Sequence, residues 1–288
     1  MAFQLKGASV TIGDRQVLTE IDCMLESGRW ISLIGRTGAG KSTLAKLLKG
    51  LVPDFKGEYW INGQPASRNR RGQMQVLPQV GFVFQYPEHQ IFETTVYREL
   101  SFSLRMRGAG TEEIDKAISR VLPLVGLAEE MLPLSPLQLS GGQKRRIAIA
   151  SVLISDPQLL ILDEPTAALD PLSRRLLLDM LKNWQAEGKG LRSILSISHA
   201  MEDIAQYSDE VLVMNGGRLV GHLSANELFL HRSDLLEGSG LPLPDYIELL
   251  KLMEQLSGRP IQIDSCREED VLAAVETVWQ DRRNSYAE

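Results

Sequence analysis

Hydrophobic and polar positions along the chain follow two periods, and the switches between them lay out the elements. Residues 3–12 and 16–25 alternate as strands do, with Gly13-Asp14 as the turn between them. Ser27-Gly28 then leads into Trp30-Ile31-Ser32-Leu33-Ile34, apolar almost throughout, the pattern of a strand buried on both faces. Over 42–49 the period becomes helical, with Leu44, Ala45, Leu47 and Leu48 on one face, and Gly50 and Pro53 end it. Glu58-Tyr59-Trp60-Ile61 followed by Asn62-Gly63 is a hairpin signal.

Buried strands recur over 80–84, 159–162, 193–198 and 210–214, the last turning through Asn215-Gly216-Gly217 into a partner over 218–223. Helical spacing fills the interval from Pro87 to about Leu137, with candidates over 94–107 and 111–125. It returns over 245–256, at Ile247, Leu249, Leu250, Leu252 and Met253, and over 269–280, at Val271, Leu272, Val275 and Val278. The order predicts an α/β fold: a mixed to parallel core sheet, an N-terminal β layer, a helical insertion over about 87–155, and an α-rich extension over 226–288 behind a domain spanning 1–225.

Composition narrows this picture slightly. A chain of 288 residues with 43% hydrophobic and 24% charged residues is an ordinary globular protein, and its net charge of −6 speaks against a general nucleic-acid binder. Arg68, Arg70 and Arg71 lie in a stretch without apolar periodicity and read as a solvated loop. Cys23 and Cys266 are too few for a disulfide framework, so a reducing, cytosolic compartment is expected. No signal peptide pattern opens the chain, and no stretch is long and apolar enough to span a membrane. A membrane role would have to come through a partner.

The chemistry starts at Gly35-Arg36-Thr37-Gly38-Ala39-Gly40-Lys41-Ser42, followed by Thr43, which satisfies G-x-x-x-x-G-K-[ST] between a strand and a helix. Glycines let the backbone close around an anion with its N–H groups inward, and the helix N-terminus adds the positive end of a dipole. Lys41 can reach the β- and γ-phosphates of ATP, and the Ser42 hydroxyl can ligate Mg²⁺. Gln85 ends the strand over 80–84, where a polar side chain can meet a ligand at the sheet edge. Leu159 to Leu162 run into Asp163-Glu164: Asp163 would hold the metal and Glu164 would polarise the attacking water. His199 ends the strand over 193–198 and is a candidate γ-phosphate sensor. Leu139-Ser140-Gly141-Gly142-Gln143 opens a helix and offers free backbone N–H groups, although the same pentapeptide also serves as an ordinary helix cap. Ala167-Ala168-Leu169-Asp170 precedes Pro171, which suits the first turn of the next helix.

In order and spacing this set resembles the ABC ATPases over about residues 2–225. Gly35 to Thr43 match the Walker A loop, Gln85 the Q-loop, Ser140 to Gln143 the LSGGQ signature, Asp163 and Glu164 Walker B with its catalytic glutamate, Asp170 the D-loop, and His199 the H-loop. The resemblance implies an ATP-hydrolysing subunit that pairs with a second ABC ATPase subunit, like or unlike itself. The signature of each chain would then cap ATP on the other. One position departs: the adenine-stacking residue common in the family corresponds to Ile12, which lacks a π face. Ala167 also stands where Ser or Gly is common.

A finer likeness lies in Val83-Phe84-Gln85-Tyr86-Pro87-Glu88-His89-Gln90-Ile91-Phe92, which resembles the extended Q-loop of the energy-coupling factor transporter ATPases, the second of the two types that pair there. Residues 241–258 resemble the C-terminal region of the same group. That family implies ATP and Mg²⁺, a transmembrane T-type coupling subunit docking near His89, Ile91 and Phe92, an S-type membrane subunit that binds a vitamin or a transition-metal ion, and a place on the cytoplasmic face of the membrane. The extension would serve dimerisation. The other class weighed, a soluble ABC ATPase acting as a clamp in translation or DNA repair, usually carries two cassettes, a coiled-coil insertion or basic linkers, and this chain has none of them.

Overall fold

The computed structural model describes residues 2–285. Strands β1 (Ala2–Ile12), β2 (Arg15–Glu26), β4 (Lys56–Ile61) and β5 (Gln64–Pro65) form an antiparallel sheet ordered β2-β1-β4-β5. A second sheet is ordered β10-β9-β3-β8-β7-β6, from β3 (Trp30–Ile34), β6 (Val80–Val83), β7 (Leu159–Asp163), β8 (Ser193–Ile197), β9 (Glu210–Asn215) and β10 (Arg218–Ser224). All neighbours in it are parallel except β10, which returns antiparallel along β9.

The parallel strands are buried on both faces, as their unbroken apolar runs require. Alternate residues divide between two cores. Leu33, Leu159, Ile161, Leu195 and Ile197 pack toward the antiparallel sheet and α1 (Lys41–Lys49). Leu160, Leu162 and Ile194 pack toward α2 (Val96–Met106), α3 (Thr111–Leu124), α4 (Gly141–Leu153) and α5 (Pro171–Glu187). After the sheet, α6 (Met201–Tyr207) precedes β9, and α7 (Asp234–Gly238), α8 (Asp245–Ser257) and α9 (Glu268–Ser285) follow β10. Their apolar faces form a third core, in which Phe229, Ile247, Leu250 and Val271 meet Ile34, Val211 and Val213 of the sheet. Both cysteines are free and buried.

Two glycines fix where the phosphate loop sits. Gly35 has φ 150, and a Cβ there would lie 2.3 Å from the Met214 carbonyl oxygen, so the loop leaves β3 pressed against the end of β9. Gly217 has φ 79, and its Cβ would lie 2.5 Å from the Val17 carbonyl oxygen. Its N–H donates to the Ala39 carbonyl at 3.1 Å, and its own carbonyl accepts from the Thr19 N–H at 2.8 Å. The β9–β10 turn thus ties the loop to β2. A Cβ there is penalised by the left-handed backbone, about 1–2 kcal/mol, and by the clash. Gly217→Ala should therefore lower unfolding stability in urea by more than that amount, whereas an unchanged midpoint would remove this turn as the support of the loop.

Candidate nucleotide site

Every parallel strand delivers one part of the site from its C-terminal end. β3 runs into Gly35, β6 leads through Phe84 to Gln85, β7 ends at Asp163 beside Glu164, β8 leads through Ser198 to His199, and β9 ends before Gly216-Gly217. Register keeps these ends level: Leu33 pairs with Ile197, Ile197 with Asp163, and Val83 with Leu162. Parallel sheets place ligands at this edge because the connecting loops spread apart there.

A cleft of about 410 Å³ opens over the phosphate loop, lined by Thr37, Gly38, Gly40, Lys41, Ser42 and Thr43, with Glu164 and His199 on one side and Gly216 and Gly217 on another. Lys41 is buried, and its Nζ donates to the carbonyls of Gly35 at 2.6 Å and Arg36 at 3.1 Å. Burial pushes this ammonium below its ordinary range, while the carboxylates of Glu164 and Asp163 pull the other way. Asp163 is raised above the usual carboxylate range, chiefly by burial, against a hydrogen bond from Ser42 and with the charge of Glu164 adding to the rise. The Ser42 hydroxyl and the half-buried Asp163 carboxylate are oxygen donors of the kind Mg²⁺ takes.

Glu164 sits at the mouth of this cleft with a left-handed backbone, φ 51, its N–H donating to the Ile197 carbonyl at 3.1 Å. Gln85 Nε2 donates to Glu164 Oε2 at 3.0 Å, and His199 Nε2 lies 3.1 Å from Glu164 Oε1. Three strands thereby meet on one carboxylate, and each of its oxygens has a partner. Behind it, Arg174 on α5 donates to Asp203 on α6 at 2.6 Å, joining the helix that Asp170 opens to the helix that follows His199.

The remaining expected residues lie elsewhere. Ser140 caps α4 in a capping box: its Oγ accepts from the Gln143 N–H at 3.3 Å, while Gln143 Oε1 accepts from the Ser140 N–H at 2.9 Å. Gly141 and Gly142 are exposed and have open space where a Cβ would stand. None of these four residues lines the phosphate cleft, and Gly142 instead borders a separate cleft between α3, α4 and α5. Asp170 caps α5, its Oδ1 accepting from the Ser173 N–H at 3.0 Å, and Ser173 holds the carboxyl below its usual range.

Ile12, expected against adenine, does not line the cleft. It is 58% exposed at the end of β1, and Arg15, Gln16 and Val17 of β2 line the cleft instead. The reason is topological: β2, not β1, abuts the phosphate loop, since Gly40 faces Leu18 and the Val17 carbonyl. Sequence spacing counted from the first strand could not distinguish the two arms of that hairpin. Ile12 pairs with Arg15 across the hairpin, so it stands beside the arm that lines the cleft.

The chain is similar to known proteins over most of its length. The family model described as ABC transporter matches residues 18–167. The chain is 39% identical over 242 residues to the energy-coupling factor transporter ATP-binding protein EcfA2 of Acetivibrio thermocellus, covering 84% of each. It is 38% identical to EcfA2 of Bacillus subtilis over 269 residues, 93% of this chain and 96% of the relative. Among solved structures, cbiO1 from Clostridium perfringens, described as part of the ABC transporter complex cbiONQ, superposes with a TM-score of 0.73 at 30% identity, over 86% of this chain and 98% of that one. The chain is an ATP-hydrolysing member of the ABC transporter family and belongs with the energy-coupling factor ATP-binding proteins.

Proposed function

We propose that this chain is one of a pair of ATPase subunits on the cytoplasmic face of a micronutrient importer, and that its ATP is cleaved only when the two subunits close. The observation that carries this reading is the Glu164 carboxylate held between Gln85 and His199 at the mouth of the Lys41 cleft. Both carboxylate oxygens have partners, and Lys41 Nζ donates to the carbonyls of its own loop. Binding ATP gives Lys41 phosphate oxygens in place of the loop carbonyls, and the loop N–H groups close on the anion. Gln85 and His199 then turn to the γ-phosphate, freeing a Glu164 oxygen to orient water and take its proton.

Ser42 and Asp163 would hold Mg²⁺, with the Gln85 carbonyl as a further ligand. When bound, the ion neutralises charge on the β- and γ-phosphates. Arg15, Gln16 and Val17 line the cleft beside the phosphate loop and suit contact with the base. The exposed amides of Gly141 and Gly142, remote from their own cleft, suit a second chain's γ-phosphate, with Ser140 and Gln143 shaping that cap and Asp170 lying across the same interface.

The relatives' names and two surfaces support the proposed partners. Phe92 is 64% exposed and meets the half-exposed Phe102 edge-on at 4.9 Å, with Met106 exposed on the same helix. With His89 exposed beside Tyr86 and Ile91 half-buried, this surface suits the coupling helix of a T-type membrane subunit, which in turn carries an S-type subunit for a vitamin or transition-metal ion. On the extension over 226–288, Leu249, Leu252 and Leu256 on α8 and Trp279 on α9 are exposed opposite the buried face, and they suit the paired ATPase subunit. In this reading contact with the membrane runs through those subunits.

Three measurements test the reading. Glu164→Gln should keep ATP affinity within a few-fold while turnover falls by about 10²- to 10⁴-fold; undiminished steady-state hydrolysis would remove Glu164 as the base. Lys41→Ala deletes a charge-assisted contact of about 1.5–3 kcal/mol, so ATP affinity should drop by about 10-fold or more; wild-type affinity would contradict the cradle. Tagged protein recovered from membranes should bring a polytopic membrane subunit with it, and Phe92→Asp should reduce that recovery. Recovery with soluble partners alone would overturn the transporter reading.

A further inference from the structure

Arg145, on the second turn of α4, was not singled out by any motif, yet its guanidinium is the most enclosed charge near the site. The side chain is 6% exposed. Its Nε and Nη2 donate to Glu88 Oε2 at 2.9 Å and Oε1 at 2.8 Å, a two-pronged pair. Its Nη1 donates to the Ala167 carbonyl at 2.9 Å and the Pro165 carbonyl at 3.4 Å. Every nitrogen of the group therefore has an acceptor, and the acceptors lie on two different segments.

Both segments belong to the catalytic surroundings. Glu88 lies on the single helical turn Pro87–Gln90, entered through Tyr86 with φ 55, just after Gln85. Pro165 and Ala167 lie in the turn between Glu164, φ 51, and Ala168, φ 60. Gln85 bonds Glu164, so the contacts close into a ring: Glu164, Gln85, Glu88, Arg145, Pro165 and back to Glu164. The arginine rides on the same rigid helix as the Ser140–Gln143 cap, about 7 Å along its axis at 1.5 Å per residue.

We propose that Arg145 is a positioning residue that makes the signature helix, the turn after Gln85 and the turn after Glu164 move as one body, so that the posture of the signature helix sets the rate of ATP cleavage and not the affinity for ATP. The inference rests on Glu164 being the group that orients water. A planar fork is needed because two carboxylate oxygens and two backbone carbonyls must be met in fixed directions, which an ammonium cannot do. Burial alone would raise the Glu88 carboxyl, and the hydrogen bonds and charge of Arg145 bring it below its ordinary value instead, so the pair is ionised.

The test uses the full chain with its ATPase partner and compares Arg145→Lys, Glu88→Gln and the double variant. Arg145→Lys keeps charge and counter-ion while losing the fork, and thermal unfolding reports whether each variant is folded. Turnover should fall by about tenfold or more in each single variant, because small misplacements of reacting groups are costly. Affinity for a non-hydrolysable ATP analogue should stay within about threefold, and the double variant should be no slower than the slower single one, since both break one link. Turnover near wild type in folded variants, an equal fall in affinity, or losses that multiply would overturn the proposal. The wild-type protein gives a readout that needs no variant. In hydrogen exchange without nucleotide, amides over 88–90 and 166–168 should open with one shared free energy, as members of one cooperative unit do. Distinct opening energies would show two independent segments. If Glu164→Gln itself turned over ATP normally, the reading of Glu164 would fail while the exchange result still judged the ring.

Discussion

The constraint on which the structure depends is that a triphosphate must be met at one place by groups scattered through the sequence. Parallel strands solve it, since they all end on the same edge of the sheet. The pairing of Leu33 with Ile197 and of Ile197 with Asp163 sets Gly35, Glu164 and His199 at one level. Their apolar interiors hold that register: slipping a strand by one residue would reverse its faces and put Leu160 and Leu162 against the wrong core. The antiparallel sheet and the β9–β10 turn then press the phosphate loop from the other side, through Val17, Leu18 and Gly217.

Electrostatics in the cleft suit the groups proposed for it. Lys41 is buried with its Nζ donating to two carbonyl oxygens, and Asp163 is half-buried, its carboxyl raised by burial and by Glu164 and lowered by Lys46 and Lys41. In the proposed reading, phosphate oxygens would offset the buried charge of Lys41 and a cation that of Asp163, so binding would offset part of the burial cost of both. Glu164 is tied from two sides, by Gln85 and His199, and in the proposed reading these groups would turn to a γ-phosphate and release it. Such an arrangement favours binding first and chemistry only after rearrangement.

Much of this was legible in the sequence because the site is made of strand ends and loops with fixed spacing. The phosphate loop, the strand over 30–34 and the residues Gln85, Glu164 and His199 could be placed from local pattern alone, and the structure brings the last three together. Short elements were less legible. The single turn Pro87–Gln90 and helix α6 carry too few residues to show a period, and they are held by tertiary contacts such as Arg145 with Glu88 and Arg174 with Asp203. Arg145 reads as surface charge within Lys144-Arg145-Arg146, and its burial depends on Glu88, distant in sequence. The one hint was its position a helical turn before the buried Ala148 and Ile149. That Arg15, Gln16 and Val17 line the cleft and Ile12 does not depends on which arm of the hairpin meets the loop, a matter of packing that strand periodicity does not encode.

The central claim is that one chain holds a nucleotide cradle and two chains hold a catalyst. Its most direct test is the specific rate of ATP turnover against chain concentration, with the ATPase partner in equal amount, beside ATP binding per chain over the same range. Turnover per chain should climb with concentration to a plateau that coincides with dimer formation in sedimentation, while binding per chain stays constant. Full specific activity at concentrations where sedimentation finds only single chains would contradict it.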